Sequence, residues 1–144
     1  MSDLRRLRPV AALYARPVPD QNRCPLAFEP ASIPWEPAAE DGTRSATLVG
    51  TRDPGVQFTY AFSIPPLFFD RPHSHCADAH LVVAMGELLL GYGERLDRSQ
   101  LRRYPAGSFL WVPAGAVHFD GAETETVLIG TATGPWSTDY VHGE

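Results

Sequence analysis

The chain contains no lysine: its twelve basic positions are all arginines, scattered from Arg5 to Arg103, and 17 acidic residues bring the net charge to −5. Only Arg5-Arg6-Leu7-Arg8 is locally dense, so the electrostatic footprint of a nucleic-acid binder is missing. No apolar run approaches the ~20 residues that a membrane span needs. The basic N-terminus is followed only by residues 9–15 before Arg16, too short for the apolar core of a secretion signal. A soluble, cytoplasmic protein without nucleic-acid or membrane partners is expected. Cysteine is scarce: Cys24 and Cys76 cannot frame a disulfide scaffold in 144 residues and read as free thiols. There is no internal repeat, no phosphate-loop spacing and no Gly-x-Ser-x-Gly nucleophile elbow.

What the chain does have is a 44% hydrophobic content, enough for one core, and 14 prolines and 12 glycines set singly between short apolar runs. That punctuation favours strands and turns over long helices, and an all-β fold. Residues 1–40, with seven prolines from Pro9 to Pro37, read as a Pro-rich N-terminal arm over the barrel or a partner subunit, and residues 41–144 as a single domain. Within it, segments 46–50, 57–64, 81–85, 88–92, 101–104, 108–112, 117–119 and 126–131 have the composition of strands bounded by turn formers. The stretches Met85-Gly86-Glu87 and Gly91-Tyr92-Gly93 read as tight connections or bulges.

Four of the five histidines fall in two places, Pro72-His73-Ser74-His75-Cys76-Ala77-Asp78-Ala79-His80 and Pro113-Ala114-Gly115-Ala116-Val117-His118. In an extended strand His73 and His75 project from one face, close enough to share a metal, while Cys76 points to the other. The two segments resemble the cupin motifs G(x)5HxH(x)3-4E(x)6G and G(x)5PxG(x)2H(x)3N, over about residues 45–141. The resemblance implies a jelly-roll β-barrel with His73, His75 and His118 on one divalent ion. Three positions depart from the pattern: Leu67 replaces the first glycine, Ala122 the final asparagine, and Ala79 the glutamate. One residue later stands His80, the only neighbour able to bind metal, either as a fourth ligand after a bulge or change of register, or as a histidine with no such role.

A site of His73, His75, His80 and His118 would be all imidazole, which favours zinc, with iron, nickel and manganese as alternatives, and suits Lewis-acid chemistry. Strand parity from His118 turns Asp120 inward as a general base, unless it is an exposed strand-end residue. Tyr60 and Tyr104 are phenolic acids or core aromatics. The alternating Phe58, Tyr60 and Phe62, and the pair Phe109 and Trp111, form aromatic faces that line a cavity or simply pack the core. Asp78 reads as solvated, and Trp136 in Gly134-Pro135-Trp136 as closing the barrel.

Within the cupins the set is similar to the bacterial aromatic polyketide cyclases of the resistomycin cyclase type. That resemblance implies intramolecular aldol condensation of a poly-β-ketone and an aromatic or polyketide substrate that an acyl carrier protein can present; the cupin resemblance, in a family that often pairs sheet edges or swaps N-terminal arms, together with the Pro-rich residues 1–40, implies a homodimer. The alternatives are an iron-dependent dioxygenase acting on a phenolic or thiol substrate, and a metal- or ligand-binding sensor without turnover.

Overall fold

In segment 57–64, Phe58, Tyr60, Phe62 and Ile64 share one face and Gln57, Thr59 and Ser63 the other, a period-two pattern that makes a strand with one apolar side. The computed structural model, which describes residues 24–142, forms this segment as β2 (Gln57–Ile64). Around it lie β1 (Arg44–Val49), β3 (Phe69–His75), β4 (Ala79–Met85), β5 (Glu87–Tyr92), β6 (Arg102–Pro105), β7 (Phe109–Val112), β8 (His118–Gly121), β9 (Thr126–Thr133) and β10 (Thr138–Tyr140). All eight expected segments are strands, with ends shifted by one or two residues. The two others carry the His73/His75 pair and the C-terminal residues.

The strands form two antiparallel five-stranded sheets, ordered β1-β2-β9-β4-β7 and β10-β3-β8-β5-β6. Ile64, Leu81, Val83, Leu110, Val112 and Leu128 of the first sheet join Leu88 and Leu90 of the second in one buried cluster. The result is the all-β jelly roll expected from the motifs. Among the described residues all ten strands lie in the compact unit that begins at Ser32. The proposed arm lies outside the described residues as far as residue 23. Among the described residues no helix is long and apolar enough to cross a membrane.

Two glycines mark where the sheets are joined and packed. Gly86 has φ +80° and carries the chain from β4 in one sheet to β5 in the other; a Cβ there would strike the backbone of Glu125 and Thr126. Gly91 is no turn but an interior residue of β5, where its missing side chain leaves room for the Phe119 ring.

Candidate metal centre

His73 on β3 and His118 on β8 are direct cross-strand partners, and His75 follows two residues along β3. The three rings stand 4.3 Å (His73–His118), 5.1 Å (His73–His75) and 5.2 Å (His75–His118) apart. One nitrogen from each lies within 4.8 Å of the others. Every ring is anchored through Nδ1: His73 to Arg71 O at 2.6 Å, His75 to Ser137 O at 2.9 Å and His118 to Ala116 O at 2.9 Å. A carbonyl oxygen only accepts, so each Nδ1 carries the proton and each Nε2 lone pair is left for a cation. Burial lowers the pKa of His118 to about 4 and also lowers that of His75, with the neighbouring rings acting in the same direction. At neutral pH both are unprotonated, as ligands must be.

The turn of the second motif is tied to the first. Gly115 N–H donates to His75 O at 2.9 Å, and Ala114 N–H to the Asp78 carboxylate at 2.7 Å. Asp78 is thus exposed yet structural. Gly115 itself takes φ +80°, the conformation for which that motif position needs glycine.

A bulge completes the site. Asp70 pairs with Asp120 and His73 with His118, so three steps along β3 match two along β8. The extra residue falls at Arg71-Pro72 and brings Asp70 to the face that also carries His73. Asp70, His73 and Asp120 accordingly cluster within 4.8 Å. Asp70 accepts a hydrogen bond from Tyr140 OH at 3.0 Å, which, with burial, helps push that phenol up to about 12. Asp120 is different. Its Oδ1 is buried, lies 3.8 Å from His73 Nε2, and has no hydrogen-bond partner. Burial pushes its carboxyl up to about 6. Three imidazoles with their Nδ1 atoms committed to carbonyls, beside a carboxylate with one buried and unsatisfied oxygen, form an environment that fits a divalent cation.

The histidines open onto a cavity of about 360 Å³ between the sheets, whose walls include Tyr60, Phe62, Phe68, Trp136 and Tyr140, with Asp120 beside the histidines. Trp136 lies along His75, ring centroids 4.3 Å apart and planes inclined by 22°. Burial drives the Tyr60 phenol up to about 12, so it remains a hydrogen-bond donor.

Other expected site residues lie elsewhere. His80 is exposed on the outer face of β4, paired with Trp111 and Thr131 in regular register. The shift in β4 comes later, between Val83 and Met85, so no bulge turns His80 inward and Ala79 takes the inward position. The four-histidine set is therefore corrected to three. Phe109 and Trp111 are also outside, 61% and 53% exposed, because β7 turns Leu110 and Val112 inward. Phe58 is fully buried but lies behind the cavity, edge-on to Trp136 at 6.0 Å. Tyr104 packs against the core cluster rather than the cavity. Asp70 and Tyr140 carry no sequence signal as site residues; the odd spacing of Asp70 from His73 points it to the opposite face in a regular strand, and only the bulge reverses this.

Residues 25–137 match the family described as the ChrR Cupin-like domain. No curated protein matches the chain. Among solved structures it is similar to the polyketide cyclase RemF from Streptomyces resistomycificus, 18% identical over 84% of this chain and 88% of that one, with a TM-score of 0.65. KdgF from Halomonas sp. is 17% identical over 78% of this chain and 96% of its own, with a TM-score of 0.59. A conserved protein with a double-stranded beta-helix domain from Klebsiella pneumoniae is 13% identical over 81% and 98%, with a TM-score of 0.61. At these identities the likeness is one of fold.

Proposed function

Because the chain belongs to the ChrR cupin-like family and opens three anchored imidazoles onto an aromatic-walled cavity, we propose that it is a metal-dependent cyclase of polyketide-type substrates. The observation that carries this reading is the convergence of His73, His75 and His118, each with Nδ1 committed to a carbonyl. These three residues hold the ion, zinc by preference for an imidazole set. When bound there, zinc supplies Lewis-acid polarisation of a ketone oxygen.

The remaining work falls to the chain. Asp120 takes the proton from the carbon between two carbonyls, and the resulting enolate carbon attacks a second ketone of the same molecule, forming the C–C bond. That bond closes the ring; Asp120 returns its proton to the new alkoxide, toward which the Tyr60 phenol donates a hydrogen bond, and elimination of water then leaves a double bond in the ring. No oxidant is required. The walls of Phe62, Phe68 and Trp136 fold the substrate and exclude competing pairings. The fold shared with RemF supports this reading. The test is metal analysis of the isolated protein with a poly-β-ketone assay: zinc and a cyclised product support the reading, whereas activity only after Fe(II) loading, with oxygen uptake, overturns it in favour of a dioxygenase.

We also propose a homodimer. Strand β7 is a sheet edge of Phe109-Leu110-Trp111-Val112, without the charge or proline that usually protects an edge, and it leaves two aromatics exposed. A monomer in sedimentation equilibrium would reject it.

A further inference from the structure

Asp120 is the one described side chain with a buried polar atom that has no hydrogen-bond partner. Buried carboxylate oxygens are rarely left so, because each forfeits its hydration without replacement. Its neighbours do not supply the missing donor. The Tyr140 hydroxyl and the Arg71 N–H both donate to Asp70, and the Nδ1 protons of His73 and His118 are committed to backbone carbonyls.

Nor does Asp120 stand where a fourth ligand would. Two atoms bound to one zinc at about 2.1 Å are at most about 4.2 Å apart. Asp120 joins Asp70 and His73, but not the trio of histidine nitrogens lying within 4.8 Å of one another. Its Oδ1 faces the cavity beside the ion position, 3.8 Å from the His73 Nε2. It is an acceptor adjoining that position and without a donor.

We infer that Asp120 is a specificity residue that accepts a hydrogen bond from a ligand hydroxyl next to the carbonyl facing His73, His75 and His118, so that the site selects β-hydroxyketones or β-diketones in their enol form over compounds lacking that donor. The inference rests on the proposed metal site and deepens it. A simple ketone leaves the buried Asp120 Oδ1 unsatisfied, which is the stronger penalty in such recognition.

The experiment uses the full chain with zinc added, zinc content being measured first. Binding of 2′-hydroxyacetophenone and of its methyl ether 2′-methoxyacetophenone, which lacks the donor, is then read by calorimetry. The hydroxyl compound is expected to bind about 10- to 100-fold more tightly. In Asp120→Asn, whose amide can donate to either oxygen, the preference is expected to fall to within about threefold at unchanged zinc content. Equal binding of the two compounds by the wild type overturns the inference without recourse to any variant, as does binding of neither. A preference that persists in Asp120→Asn overturns it, and so does loss of zinc from that variant, which would make Asp120 a ligand. A wild type that takes up no zinc overturns the metal reading as well, whereas zinc held with equal binding overturns only the role of Asp120.

Discussion

The indole of Trp136 stacks on the imidazole of His75 at 4.3 Å, while the next residue, Ser137, accepts the His75 Nδ1 proton through its carbonyl at 2.9 Å. One short segment thus fixes both the plane and the tautomer of the His75 ring. Trp136→Ala is expected to lower metal affinity about 10-fold, within the range for loss of an orienting partner. Trp136→Phe should recover most of it. Competition with a chromophoric chelator measures both, and an unchanged affinity in the alanine variant would show that the stack does not orient His75.

His118→Ala removes one of the three proposed ligands and should cost more than the ~10–100-fold typical of outer partners. His80→Ala should leave metal content unaltered, since His80 faces outward. Elemental analysis of the two variants separates the three-histidine site from the four-histidine one; zinc lost from His80→Ala would restore the latter.

Ala79 stands at the inward position where the motif has its glutamate, and its methyl lines the cavity. Ala79→Glu should tighten zinc binding and, by filling the open side, weaken binding of ketone ligands. If chelator competition finds affinity unchanged, the inward direction of this position is wrong.

The first-motif position that departs from glycine, Leu67, has φ +66° and is 75% exposed. Left-handed backbone costs an L-residue roughly 1–2 kcal/mol, partly offset on replacement by the greater freedom of unfolded glycine. Leu67→Gly should stabilise the protein by about 0.5–1 kcal/mol, a Tm rise of about 2–4 °C. Calorimetry showing a lower Tm would mean that the leucine side chain contributes more than the backbone strain costs.

Stability of the metal-free protein should depend on pH with a sign set by the imidazoles. His118 falls from 6.5 unfolded to about 4 folded, so the unfolded chain takes the proton first. Its contribution is present above 6.5 and lost as pH falls toward about 4, and His75 acts in the same direction. Asp120, raised from 3.8 to about 6, opposes this, since there the folded state binds the proton first and stability is lost as pH rises through that window. Asp120→Asn removes the opposition, so the acid loss should be steeper in the variant. Urea midpoints at pH 7, 6 and 5 with chelator present test it; parallel curves for the two proteins would contradict it.

The barrel and the clustering of His73, His75 and His118 are legible in the sequence because they rest on period-two alternation and on fixed motif spacing. His73 and His75 two apart, and Gly115 three before His118, need no tertiary knowledge. Parity fails where it has no anchor: aromatic character suggests an inward Phe109 and Trp111, although Leu110 and Val112 hold that face. At His80 the sequence leaves two roles open, and only the regular pairing of β4 with β7 and β9 decides between them. Asp70 escaped notice because its face depends on a bulge, and a bulge appears only when β3 is laid against β8.

The extra residue at Arg71-Pro72 has an evolutionary corollary. Shortening β3 by one residue there would rotate Asp70 out to solvent while leaving His73, His75 and His118 in register. A single deletion in β3 is therefore enough to strip the histidine cluster of one acidic neighbour with its three rings untouched, so the charge beside the cluster and the fold that carries it can change independently.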